Sequence, residues 1–172
     1  MISIHSTAHV SELADIEDSK SGSMVSIGPE SHIDSFVRFR AAGGQGDIVL
    51  GRRCFINSGT VLYIGNGIHI GDYVSIAANC TLAPTNHSFS DAYAKIQSQG
   101  FKESKGGIRI EDDVWIGAGT VILDGATIRR GAVIAAMSLV RGEIPELSIW
   151  GGNPIRELRA RRGSGEKEVG SE

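Results

Sequence analysis

His87 is the residue of this sequence best suited to move a proton. It stands in Pro84-Thr85-Asn86-His87-Ser88, at the opening of a long irregular stretch. An imidazole titrates near ~6.5, so at neutral pH it can take a proton and give it back. An alcohol hydroxyl attacking an acyl carbonyl needs such a base within hydrogen-bond reach, because free hydroxyls hardly ionise there. The expected arrangement has Nε2 facing the hydroxyl and Nδ1–H held by a carbonyl or carboxylate. Asp91 is a candidate for that holding role, although a loop aspartate more often caps a local turn. Asn57, Asn79 and Asn86 are further polar candidates near the same level of the chain. Asn57 and Asn79 read better as corner residues, since Asn tolerates left-handed backbone.

The elements that must position these residues come from an internal repeat. Ile110, Ile116, Ile122, Ile128, Ile134 and Val140 recur every six residues. Four residues after each stands Val114, Thr120, Ala126, Ala132, Ser138 or Ile144, mostly small or β-branched. A strict period of six fits neither a helix near 3.6 nor a flat strand near 2. It fits a coil of three short strands joined by tight corners, with one large side chain per strand pointing inward. The same register runs upstream through Ile4, Val10 and Ile16; Ile27, Ile33 and Phe39; Leu50, Ile56 and Leu62; and Ile70, Ile76 and Leu82. Extra residues appear only after Ile16, Phe39, Leu62 and Leu82, so every insertion leaves the prism at one corner. The longest separates Leu82 from Ile110 and carries His87. Loops of that length inside a compact domain are usually functional or disordered.

The reading is an all-β chain: a parallel β-helix of about six coils over residues 1–150, with a loop over 83–109 protruding. Each coil buries its apolar side only against its neighbours. Asn153-Pro154 reads as a helix N-cap followed by Pro at the first helical position. Ile155 and Leu158 then give one apolar stripe, so a short C-terminal capping helix is expected over residues 151–163. A polar, mobile tail is expected over 164–172. Cys54 and Cys80 fall at small inward positions on different faces and are expected as free thiols.

Composition agrees. The chain has 172 residues, 41% hydrophobic but only 6% aromatic, with 23 glycines. That mixture suits a core of small aliphatic side chains and many corners. A net charge of −3 gives no broad pull on nucleic acid. The longest mostly apolar run, Ala132 to Val140, is too short for a membrane span. The start, Met1-Ile2-Ser3-Ile4-His5, lacks the basic and apolar segments of a signal peptide, so a cytoplasmic location is expected.

The hexads Ile110–Trp115 and Ile116–Val121, the segment Ile144-Pro145 and the closing Gly151-Gly152-Asn153-Pro154 resemble the hexapeptide-repeat acetyltransferases. The likeness is to the branch that O-acetylates sugars, including galactoside, maltose and lipopolysaccharide or capsule enzymes. The resemblance implies a left-handed coil, a homotrimer with active sites between subunits, and acetyl-CoA as co-substrate with no metal. It places His87 as the catalytic base, with a saccharide as acceptor. It places Trp115, which sits outward on its hexad, beside the pantetheine arm, with Ala118 and Ala136 at narrow positions along it. Arg141 matches a residue near the nucleotide end, and Arg156 and Arg159 match residues that meet the CoA phosphates. Arg161 and Arg162 read equally as a solvated helix end. The chain departs from the galactoside enzymes at their coil asparagine, whose site is Gly59 here. It also lacks their helical segment ahead of the coil, which makes the shorter polysaccharide-modifying branch the closer likeness.

Three rival readings share this coil, one of them a noncatalytic β-helix scaffold. N-acetylation of an amino sugar nucleotide would use the same base and donor. A γ-class carbonic anhydrase would need three zinc-binding histidines. His69 and His87 fall at related places on successive coils, but no histidine follows His87 to supply a third ligand.

Overall fold

The computed structural model describes residues 1–19 and 22–161. Arg162 and the tail expected over 164–172 lie outside the described residues. The described chain winds into a three-walled parallel β-helix. The first wall stacks Ile2–Ile4, Val25–Ile27, Ile48–Leu50, Ile68–Ile70, Ile108–Ile110, Thr127–Ile128 and Glu143–Ile144. The second stacks His9–Val10, His32–Ile33, Phe55–Ile56, Ser75–Ile76, Trp115–Ile116, Val133–Ile134 and Ser148–Gly151. The third stacks Asp15–Ile16, Arg38–Ala41, Val61–Ile64, Thr81–Ala83, Val121–Leu123 and Leu139–Val140. Six coils are therefore complete and a seventh is partial.

Register explains why the period is six. Ile70 pairs with Leu50 and Ile110, Ile76 with Ile56 and Ile116, and Leu82 with Leu62 and Ile122. Like residues thus stack along one interior column per wall. Ile110, Ile116, Ile122, Ile128, Ile134 and Val140 are each no more than 1% exposed. The small positions are buried with them, including Cys54, Thr60, Cys80, Thr120, Ala126 and Ala132. The first coil carries the same pattern but lies at an end, so Ile4 remains 45% exposed. Pattern and burial differ there because a terminal coil has a neighbour on one side only.

Corners are closed by residues in left-handed backbone, many of them not glycine: Glu30, Arg53, Tyr73, Asp113 and Leu147 at one corner, Phe36, Asn79 and Met137 at the next. These corner N–H groups donate to the coil beside them. Asn79 donates to the Ser58 carbonyl at 3.0 Å and Met137 to the Ala118 carbonyl at 2.8 Å, so the turns leave few backbone groups unpaired. The third corner, between the third and first walls, takes every insertion, as the spacing predicts.

The expected C-terminal helix does not form. Arg156–Ala160 instead runs antiparallel beside Ser148–Gly151, across a turn holding Asn153-Pro154 with a cis peptide. The last strand of the second wall would otherwise present an open row of N–H and C=O groups, and pairing closes it. Proline, lacking an N–H, sits in the turn where no ladder bond is needed. The two apolar residues that suggested a helical stripe serve this hairpin: Ile155 packs on the core and Leu158 lies over Gly151. Among the described residues the one helix is a 3-10 turn, Ile96–Gln99, within the protruding loop. No described helix is long and apolar enough to cross a membrane.

Candidate active site

The protruding loop leaves the third wall after Ala83 and rejoins the first wall at Ile108. Its root is a short antiparallel bridge between His87 and Phe101. The Ser88 amide donates to the Gly100 carbonyl at 2.9 Å and the Lys102 amide to the Asn86 carbonyl at 2.7 Å. His87 and Phe101 thereby occupy a pair position without mutual hydrogen bonds, where facing side chains come closest. Their rings lie 4.9 Å apart, tilted by 31°. One residue further on, Lys102 Nζ sits 3.7 Å from the centre of the Phe89 ring. The root packs down on glycines of the coils below: the Phe101 ring lies against Gly43, and Thr85 lies against Gly65.

The loop's exit is fastened by Asp124, which is buried. Its carboxylate accepts the Lys105 amide at 2.8 Å and the Gly107 amide at 2.9 Å. Further out, Asp91 does not reach for His87. Its carboxylate accepts the Tyr93 amide at 2.9 Å, and the Gln99 side chain clasps its backbone at 2.9 and 3.1 Å. This is the turn-capping role. Asn86 and His87 are both exposed, as are Phe101 beside His87 and the loop residues Phe89, Tyr93 and Ile96.

Asn57, Asn79, Ala118 and Ala136 stack along a different corner, between the second and third walls. Asn57 Nδ2 donates to the Ile76 carbonyl at 2.8 Å. Asn79 has φ of 60°, and its side-chain oxygen fills the space left by Gly59. Both asparagines thus serve the corner. Ala118 and Ala136 are exposed there. A Cβ at Gly117 would lie 2.4 Å from the Ala136 nitrogen, so backbone meets backbone along this edge. The result is a narrow, flat-sided track with few side chains.

Trp115 faces outward from the second wall and is 53% exposed. It shares a groove of about 300 Å³ with Tyr73, Ser75, Asp113, Val133 and Arg161. Arg161 Nη1 closes that groove, donating to Asp113 Oδ2 at 2.9 Å and to the Gly131 carbonyl at 3.0 Å. Arg156 and Arg159 are exposed on the strand that replaces the expected helix, paired with Gly151 and Ile149. Arg141 is exposed at the insertion corner, far up the coil. One copy of the chain therefore puts His87 at one corner and Trp115, Ala118 and Ala136 on another wall and corner, with the third wall between them.

His69 stands on the first wall between Val49 and Arg109, whereas His87 sits at the root of the protruding loop, bridged to Phe101. Among the described residues of one chain, no three His, Cys, Asp or Glu side chains are grouped to hold a metal ion. That wall also carries an ion-pair ladder. Arg129 bonds Glu111 at 2.9 Å and Glu143 at 3.0 Å, and the Arg130 amide donates to Glu111 at 3.0 Å. The Arg129 guanidinium holds the Glu111 carboxyl below its ordinary 4.5. Burial pushes both cysteine thiols up, as expected for inert packing residues.

Sequence reasoning missed Phe101, Gly43 and Asp124. Asp124-Gly125 is a turn dipeptide set between hexads, which is a usable signal. Nothing in the spacing links Phe101 to His87 across the loop.

Comparison with known proteins agrees with this architecture. Residues 107–142 match the family described as bacterial transferase hexapeptide, and residues 47–84 match the hexapeptide repeat of succinyl-transferase. A probable acetyltransferase of Mycobacterium tuberculosis is 36% identical over 94% of this chain and 48% of its own length. The galactoside O-acetyltransferase of Escherichia coli is 30% identical over 88% of this chain and 71% of its own. The chain spans about half the length of the first curated relatives, 48% and 56% of two of them. Among solved structures, a variant of AntD, an N-acyltransferase from Bacillus cereus complexed with dTDP and coenzyme A, superposes with a TM-score of 0.77. It is 24% identical, and the match covers 93% of this chain and 84% of that one. The shared fold is a left-handed parallel β-helix. With its hexad columns, single insertion corner and overlap with the galactoside enzyme, the chain belongs to the hexapeptide-repeat acetyltransferase family.

Proposed function

We propose that this protein transfers the acetyl group of acetyl-CoA to a hydroxyl of a saccharide, with His87 as general base. The observation that carries the reading is His87 pinned at the root of the one long loop, on a coil related to a galactoside O-acetyltransferase. In the reaction, Nε2 takes the hydroxyl proton as the oxygen bonds to the thioester carbonyl carbon. The tetrahedral oxyanion then collapses, the C–S bond breaks, and the imidazolium returns the proton to the departing sulfur. Asn86, exposed beside His87, is our choice for an acceptor contact, since Asn57 and Asn79 are occupied at their corner.

The narrow track at Ala118 and Ala136 suits a thin pantetheine arm, and the exposed Trp115 suits contact along it. Arg141, Arg156 and Arg159 are free to meet phosphates by charge-assisted hydrogen bonds. Because Trp115, Ala118 and Ala136 lie away from the corner that carries His87 in one copy, we place the active site between adjacent subunits of a homotrimer. The exposed Phe89, Tyr93 and Ile96 of the loop supply apolar surface for that contact. Similarity to a protein named galactoside O-acetyltransferase supports a hydroxyl rather than an amine acceptor in this reading.

The test is acetyl-CoA with methyl β-galactoside and, separately, glucosamine, followed by thiol release and by mass of the product. Ester formation on the galactoside supports the reading; preferential amide formation on glucosamine replaces it with N-acetylation. His87→Ala should lower turnover by ~10²–10⁴ while sedimentation and circular dichroism stay unchanged. Stoichiometric zinc in the purified protein, with acetyl transfer absent, would overturn the whole reading.

A further inference from the structure

We propose that Phe101 is a positioning residue for His87, and that Gly43 is the seat that makes this possible; the inference rests on His87 being the base. Three groups meet at the loop root: the His87 imidazole, exposed and held by no side-chain hydrogen bond among the described residues; the Phe101 ring, 4.9 Å from it; and the Gly43 backbone, with φ of 57°, against that ring. A Cβ on Gly43 would lie 2.6 Å from Phe101 Cε2 and 2.9 Å from two further ring carbons. Any side chain there must displace the phenyl ring and so disturb its contact with the imidazole.

The backbone leaves Phe101 little freedom. Two hydrogen bonds, at 2.9 and 2.7 Å, flank the His87–Phe101 pair and fix which residues face each other. The neighbouring Lys102 is held by the Phe89 ring. Gly43 itself lies in the insertion that follows Arg38–Ala41, two coils below the coil from which the loop departs. The clamp therefore ties the loop root to an earlier coil. An imidazole on a loop can swing about two side-chain bonds, and an aromatic face against one side removes much of that swing. Proton transfer needs hydrogen-bond distance and alignment, and small misplacements cost large factors in rate.

The experiment uses the full-length protein and two readouts. The first is the His87 ring-proton resonances, assigned by their loss in His87→Ala. Phe101 should shift them by its ring current, Phe101→Ala should remove that shift, and Phe101→Tyr should keep it. The second is steady-state thiol release from acetyl-CoA with methyl β-galactoside. Phe101→Ala should lower kcat by ~10-fold or more, with the KM for acetyl-CoA within ~2-fold. Phe101→Tyr should restore kcat, and Gly43→Ala should reproduce the Phe101→Ala loss. Should Phe101→Ala fail to fold, Phe101→Leu takes its place with the same expected outcomes. Turnover lost in His87→Ala but kept in Phe101→Ala overturns the clamp alone. Turnover kept in His87→Ala overturns the base reading and the clamp with it. Resonances of His87 that ignore Phe101→Ala also overturn the clamp.

Discussion

Asp124 offers the sharpest test of how the loop is held. Replacing it with alanine removes the acceptor from two backbone amides, Lys105 and Gly107. The two are not equivalent. Lys105 is exposed, so water can satisfy its amide once the carboxylate is gone. Gly107 is buried, and its amide would be left without an acceptor. An orphaned buried donor costs about 1–3 kcal/mol, whereas the exposed one adds little. We therefore expect a loss of about 2 kcal/mol, concentrated at the loop exit. That corresponds to ~30-fold faster amide exchange at Gly107 and a fall in Tm of about 4–8 °C if the whole chain reports it. Exchange measured residue by residue distinguishes a local opening from a global one. Asp124→Asn keeps one oxygen acceptor and should fall between. Unaltered exchange at Gly107 in Asp124→Ala would refute the reasoning, because the buried amide would then have some other partner.

Three further outcomes follow. Trp115→Ala should weaken acetyl-CoA binding in calorimetry while leaving the fold intact; unchanged affinity would reduce Trp115 to a packing role. Because Arg129 holds Glu111 below its ordinary 4.5, ionised Glu111 contributes stability that is present above that value and fades as pH falls through the lowered range. Glu111→Gln should thus flatten the acid limb of a Tm-against-pH curve below about pH 4.5, and an identical limb would count against the ladder. Finally, Cys54 and Cys80 are buried, and their raised thiols should resist a disulfide reagent at pH 8 until denaturant is added. Rapid labelling of the folded protein would show that the core opens.

The coil was legible because its defining contacts are local in register. Each inward column, such as Leu50, Ile70 and Ile110, repeats the same residue class at the same phase, so period alone identifies it. The insertion corner was legible for the same reason. The hairpin at Ser148–Ala160 was not, because Ile155 and Leu158 fit a helical stripe equally well. The choice was made by an open sheet edge, a demand that appears only once the last coil is in place. The His87–Phe101 pair was hidden for a related reason: cross-strand partners in an irregular loop carry no fixed spacing. Asp91 shows the reverse case, where the commonplace local role of an aspartate was the one realised.

The paired amides at Ser88 and Lys102 also define a natural splice point. Everything from Phe89 to Gly100 hangs from a two-bond collar, while the hydrophobic columns never enter that excursion. Exchange of the tip for a segment of different length or chemistry should leave His87 paired with Phe101 and the spiral untouched. Loop chemistry and structural integrity are thus separately adjustable in this scaffold, since one resides in an overhang and the other in the shaft.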